Sequence, residues 1–292
     1  MQGCKPVVTP LQLNLDLSLK DTPEVVDPDL QYEYQAIVGS LMYLYQWTRP
    51  DLGFAVTFLS RYLHKPGVKH LQTAKHTLRY LQGTKSLGIR YTRDQNRLRS
   101  RGQDLNVIYG LSDSDFAGCK DTAKSTSSYL VLLNGGAIAY YSGRQSTVAL
   151  CTAMAETIAL AKLVVKIKYL RAMLHDLQFC QHEQTNVGST IVWVDNTAAL
   201  AVATGSDFTH EPVKHVTVKV RFLQECEQRK VVRYSYVTTS KNLSDMMTKQ
   251  SSGPQLMAHR DFTMGYADAL VVDGASARLA IRVRRRTRRL CV

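Results

Sequence analysis

Four acids are placed where they could do chemistry: Asp113, Glu156, Asp195 and Asp245. Asp113 stands in LSDSDFAGCK, with Asp115 two residues on, just past the apolar run Leu105-Asn106-Val107-Ile108-Tyr109. Glu156 lies one turn into a long helical pattern, Asp195 directly ends TIVWV, and Asp245 sits in NLSDMMTK. Intervals of 43, 39 and 50 residues separate them, so only a fold can bring them together. Four carboxylates in one crevice cannot all stay ionised without cations. Two Mg²⁺ ions about 4 Å apart, with Mn²⁺ as a substitute, would neutralise them and clamp a phosphodiester during in-line displacement. Each acid also has a purely local reading. Asp113 and Asp115 suit a turn, Glu156 suits a helix N-terminal dipole, and Asp195 and Asp245 suit helix caps.

The segments around these acids alternate in texture. LNVIYGLS, SSYLVLL and GAIAYYSG read as strands, and Asn134-Gly135 predicts a tight hairpin between the last two. CTAMAETIALAKLVVKIKYLRAMLHDL reads as a long helix with Thr152 as candidate cap. TIVWV is a buried strand, NTAALAVAT and KHVTVKVRFLQECEQ are helices, VVRYSYV is a last strand, and NLSDMMTK opens a closing helix. That order predicts an α/β fold over 105–250, a mixed five-stranded sheet flanked by helices. If the first and fourth strands are adjacent, their carboxyl ends open on one crevice. Upstream, residues 1–30 are an extended segment broken by Pro6, Pro10, Pro23 and Pro28. Residues 31–91 form a small helical segment, in which Tyr43, Tyr45, Tyr62 and Tyr80 read as helix packing. Residues 92–104 are polar and read as a linker or hairpin tip, and 251–292 as a basic, disordered tail.

The chain has 292 residues and a formal charge of +13, which suits a polyanionic partner. Seven of its arginines fall between 278 and 289, so the body is only mildly basic. That arginine run fits either a nucleic-acid patch or an out-of-frame extension of a disrupted gene end. The six cysteines are scattered without a C-x-x-C pair, which excludes a zinc framework or disulfide scaffold and fits a reducing compartment. No apolar run is long enough for a membrane span, so no membrane partner is expected. No secretory signal is apparent, and a cytoplasmic or nuclear location is expected.

As a set, SDSDFAGCKDTAKSTSSY, LNGGAIAYYSGRQSTVAL, AMAETIAL, VDNTAAL, VKHVTVKVRFLQE and LSDMMTK resemble the RNase H domain of copia-type retrotransposon Pol polyproteins. KPVVTP, YQAIVGSLMYL, TRPDLGFAV and HLQTAKHTLRYLQGT resemble the segment just upstream, the thumb-like end of the reverse transcriptase. The resemblance implies an RNase H-like fold and two-metal hydrolysis of the RNA strand of RNA–DNA hybrids. Asp113, Glu156, Asp195 and Asp245 would be both catalytic residues and metal ligands. It also implies an RNA–DNA hybrid as substrate and the remaining reverse-transcriptase body as a partner. Lys124, Ser125, Thr126, Asn196, Lys214 and His215 are the candidate substrate contacts. Departures from the motifs include Phe116 for tryptophan, Ser128 for glycine, Met154 for the first acid of A-E-A-E, Thr157 for tyrosine, and Pro212-Val213 before Lys214-His215. No Y-x-D-D pair occurs, so polymerisation is not expected from this chain alone. The competing reading is a non-catalytic nucleic-acid-binding remnant or pseudogene product of such an element.

Overall fold

Strand register decides where the acids meet. In the computed structural model, which describes residues 3–179, 188–205, 214–272 and 275–277, the first strand β1 runs Ile108–Asp115. It pairs antiparallel with β2 (Thr126–Leu133), and β2 pairs antiparallel with β3 (Gly136–Arg144). The β2–β3 turn is Asn134-Gly135, both with positive φ (50° and 89°), as the tight hairpin requires. On its other side β1 pairs parallel with β4 (Thr190–Val194), which pairs parallel with β5 (Val232–Tyr236). The sheet order is β3-β2-β1-β4-β5.

Alternation along the strands gives the sheet two apolar faces. Ile108, Val131, Val192 and Val194 pack with a long helix, Thr152–Asp176, and with helices Thr197–Thr204 and Lys214–Gln228. Gly110 lies on this face because a Cβ there would stand 2.8 Å from the Ile167 side chain. Tyr109, Leu111, Leu130, Leu132 and Trp193 occupy the opposite face. They share one core with α1 (Pro28–Trp47), α2 (Gly53–Leu59) and α3 (Val68–Gly83). The N-terminal helices therefore cover the second face of the sheet. A buried polar cluster ties them together: Arg49 donates twice to Asp51 (2.9 and 2.7 Å), and the Tyr80 hydroxyl donates to the same carboxylate (2.6 Å). Pairing and hydrogen bonds on both sides are what make a buried charge tolerable.

The mixed five-stranded sheet with flanking helices, preceded by a helical segment, is the architecture expected from the sequence. Four local expectations need correction. Residues 92–104 hold a short helix, α4 (Gln95–Ser100), capped by the Asp94 carboxylate. Its Leu98 is fully buried, and Arg101 buries its guanidinium, donating to the carbonyls of Gly135, Phe262 and Ala267. Few apolar residues were needed there, because a buried arginine supplies the docking. The chain after 251 is likewise folded as far as 270. A helix, Gly253–Thr263, buries Leu256 and Phe262, and Met264 and Leu270 are buried beyond it. A short antiparallel pair, Leu270–Val272 with Ala275–Ala277, ends the described chain. The arginine run lies outside the described residues. Thr152 is the first residue of the long helix, and Cys151 holds the cap position without a side-chain bond. Finally, NLSDMMTK forms a 3-10 turn, Leu243–Met247, capped by Asn242 and not by Asp245. Among the described residues no helix is long and apolar enough to cross a membrane.

Because one core joins the N-terminal helices to the sheet, both should unfold together. Leu41→Ala in α1 should cost about 2–5 kcal/mol. Trp193, buried on the sheet, should report that loss as a lower urea midpoint in fluorescence. An unchanged Trp193 transition would mean the two parts unfold separately.

Candidate metal centre

The β1/β4 register pairs Leu111 with Trp193, whose neighbours two residues on are Asp113 and Asp195. Side chains two apart share a face, so both carboxylates leave the carboxyl ends of parallel strands on the same side. Glu156 reaches them from the first turns of the long helix, where Oε1 accepts the Ser114 N–H (3.2 Å). One ligand oxygen from each of Asp113, Glu156 and Asp195 lies within 4.8 Å of the others. Asp113 and Glu156 are buried, and Asp195 is half-buried.

The turn around Asp245 braces this cluster. Asn242 Nδ2 donates to the Ser112 carbonyl of β1 (2.9 Å). Ser128 on β2 hydrogen-bonds Ser244, and Ser142 on β3 donates to the Met247 carbonyl (2.6 Å). Ser128, which stands where the motif has glycine, thus supplies an anchor. Thr248 Oγ1 is hydrogen-bonded to Asp113 Oδ2. Asp245 is buried beside the cluster but stands outside the three-acid group. Its Oδ1 is paired with Lys249 Nζ at 2.5 Å.

Burial, and then the charges of Asp245 and Asp195, push Asp113 up to about 7. Burial, and then Asp113 and Asp195, raise Glu156 well above the usual glutamate value. Asp195 is raised chiefly by burial, against hydrogen bonds from Asn242 and Thr239. Glu156 Oε2 is buried without a hydrogen-bond partner. Three crowded carboxylates that resist ionisation, one with an orphaned oxygen and no nitrogen or sulfur donor among them, suit a hard divalent cation such as Mg²⁺ or Mn²⁺.

Comparison with known proteins narrows what such a centre belongs to. The chain is 34% identical over 252 residues to the retrovirus-related Pol polyprotein from transposon TNT 1-94 of Nicotiana tabacum, covering 85% of this chain and 18% of that one. It is 33% identical over 252 residues to the corresponding polyprotein from transposon RE1 of Arabidopsis thaliana, covering 86% of this chain and 16% of that one. Over most of its length the chain matches one segment of copia-type retrotransposon Pol polyproteins. It spans less than a fifth of those two relatives' length. A secreted RxLR effector protein of Plasmopara viticola is 39% identical over 137 residues, 47% of this chain and 90% of that one. No family model matches the chain. Among solved structures, LC11-RNase H1 in complex with an RNA/DNA hybrid aligns with a TM-score of 0.32 at 14% identity, over 46% of this chain and 88% of that one. At that score the likeness carries no weight here, and the sheet order rests on its own pairings.

The remaining Pol-motif residues fall in varied places. Asp115, at the end of β1, is raised chiefly by burial and faces Arg61 and Lys249. Lys124 is half-buried in the β1–β2 turn. Ser125 and Thr126, expected at a phosphate, are buried and engaged: Ser125 Oγ accepts the Ala117 N–H, and Thr126 Oγ1 accepts from Arg61. Strand pairing draws that stretch inward. Asn196 caps the helix after β4, accepting the Ala199 N–H (2.9 Å). Lys214 and His215 begin the Lys214–Gln228 helix, and their side chains lie outside the described residues. Thr248 and Asn242 were missed as supports, since nothing local in the sequence separates a bracing hydroxyl or amide from a surface one.

The folded chain holds the Asp113 proton to higher pH than the unfolded chain, whose carboxyl titrates near 3.8. It therefore binds more protons between about 4 and 7, and metal-free stability attributable to this group falls as pH rises through that window. Asp113→Asn should remove that part of the pH dependence and raise metal-free stability at pH 7 by about 1–3 kcal/mol. Mg²⁺ should raise the thermal midpoint of the unaltered chain and not that of the variant. Identical melts for both chains across pH and Mg²⁺ would contradict the shared site.

Proposed function

We propose that this chain is a ribonuclease H that cuts the RNA strand of an RNA–DNA hybrid by two-metal hydrolysis. The observation that carries the reading is the meeting of Asp113, Glu156 and Asp195 around an unpartnered Glu156 oxygen, in a chain that matches a segment of Pol polyproteins. Those three acids, with Asp245 beside them, would hold Mg²⁺, or Mn²⁺ in its place. Bound divalent ions would supply activation of water and stabilisation of charge on the leaving 3′ oxygen. The chain's own groups do the positioning. Thr248 fixes Asp113, the Ser114 N–H fixes Glu156, and Asn242 and Thr239 orient Asp195. Hybrid recognition would rest on backbone shape and 2′-hydroxyls, without sequence reading. The substrate would be met in the cytoplasm or nucleus, with the rest of the reverse transcriptase as partner. A reverse-transcriptase origin for the N-terminal helices remains part of this proposal.

One observation favours the competing, non-catalytic reading: Asp245 is already neutralised by Lys249. Labelled hybrid with and without Mg²⁺ separates the two. Metal-dependent cutting of RNA only in the hybrid supports the nuclease, with Asp113→Asn and Asp195→Asn each lowering the rate at least ~100-fold while remaining folded. Undiminished cutting by those variants would overturn the site. Salt-sensitive binding without cutting would establish the remnant.

A further inference from the structure

A large cleft among the described residues lies away from the three acids. It is a cavity of about 650 Å³ where α1 and α2 meet the edge strand β3, a volume in the usual range for ligand sites. Its walls include Tyr45, Arg61, Tyr129, Tyr141, Arg144 and Lys166, and no carboxylate lines it. Arg61, Arg144 and Lys166 form no ion pair among the described residues. Arg61 lies over the Phe58 ring, Arg144 points to Cys119 Sγ (3.6 Å), and Lys166 lies over Tyr169. Within the cleft walls no carboxylate offsets these three charges; Asp115, outside the walls, acts on Arg61. Arg61 Nε and the Tyr140 hydroxyl are buried at its wall without hydrogen-bond partners. Tyr129 and Tyr141 stack at 5.5 Å with Lys162 against the second ring, giving an aromatic wall.

One residue of the cleft is in register with the strand that carries the acids. Arg144 lies on the cross-strand row Asp115–Thr126–Arg144, two strand spacings or roughly 10 Å from Asp115. Arg61 also lines a second cavity of about 280 Å³ that includes Lys120 and Lys249. The acids of that cavity offset part of its charge: Asp16 pairs with Lys120, and Asp121 accepts the Leu19 N–H. Arg61 thus lines both cavities, and Lys249, paired with Asp245, stands at the far side of the second.

We propose that this cleft binds an unpaired nucleic-acid strand, its phosphates on Arg61, Arg144 and Lys166 and a base against the tyrosine wall. Positive charge with no carboxylate in the walls selects a polyanion, and aromatic walls in a recess select bases free of a partner strand. A peptide strand added to β3 fits less well, because the Ser142 and Ala137 carbonyls already accept from Thr57 and Tyr91. The site is separate from the carboxylates, so it can be tested without metal or cleavage.

The test is fluorescence anisotropy of the full chain in EDTA with dT and rU 12-mers across a salt series. Arg144→Met/Lys166→Met should bind at least ~10-fold more weakly, and its salt slope should fall by about 1.4, roughly 0.7 per lost phosphate contact. Tighter binding of rU would mark the 2′-hydroxyl as read; equal binding would mark phosphate and base alone as the ligand. In the unaltered chain, a 4-thiothymidine oligonucleotide should photocrosslink within 129–144, whatever the variant's folding. Absent 12-mer binding, an unchanged slope in the variant, or crosslinks confined to other segments would overturn the proposal.

Discussion

Mutual repulsion of buried carboxylates is the constraint around which this molecule is arranged. Nothing in the local sequence favours placing Asp113, Glu156 and Asp195 within 4.8 Å of one another. The parallel β1–β4 pairing forces the first and third together, and the long helix, packed through Leu160, Leu163 and Ile167, brings in the second. Packing of two faces therefore sustains a cost that the acids alone would relieve by moving apart. Sites of this sort are stable only when the surrounding structure over-determines them.

That over-determination explains why the N-terminal helices matter. They fill the second face of the sheet, beneath Tyr109 and Trp193, whose stacked rings (5.4 Å) sit on the same strand faces behind Asp113 and Asp195. The 3-10 turn at Leu243–Met247 is pinned to β1, β2 and β3 by Asn242, Ser128 and Ser142. Lys249, two residues past the turn, offsets Asp245, so one cation of the chain itself already stands in the acidic field. The same helices form one wall of the cationic cleft, so their role extends from packing to a binding surface.

The strands and the long helix were legible from local texture: the short apolar run of TIVWV, Asn-Gly between two strands, and the long, largely apolar stretch from Met154 onward. The acids were legible through motif resemblance, since their separations along the chain carry no local signal. Residues 95–101 and 253–264 were not legible. Their docking depends on Arg101, whose buried guanidinium looks like solvent-facing charge in sequence. Tyr45 was read as packing, yet it also lines the cleft, a double role that only the meeting of α1 with β3 reveals. Ser125 and Thr126 were named as candidate substrate contacts; their burial, with Thr126 paired in β2, could not be read from so polar a stretch.

The central claim is that three distant acids share a divalent ion. An anomalous difference map from crystals of the full chain grown with Mn²⁺ addresses it directly. The account predicts a peak about 2.2 Å from carboxylate oxygens of Asp113, Glu156 and Asp195 together. A peak bound elsewhere, or none at these acids while Mn²⁺ is present in excess, would contradict it.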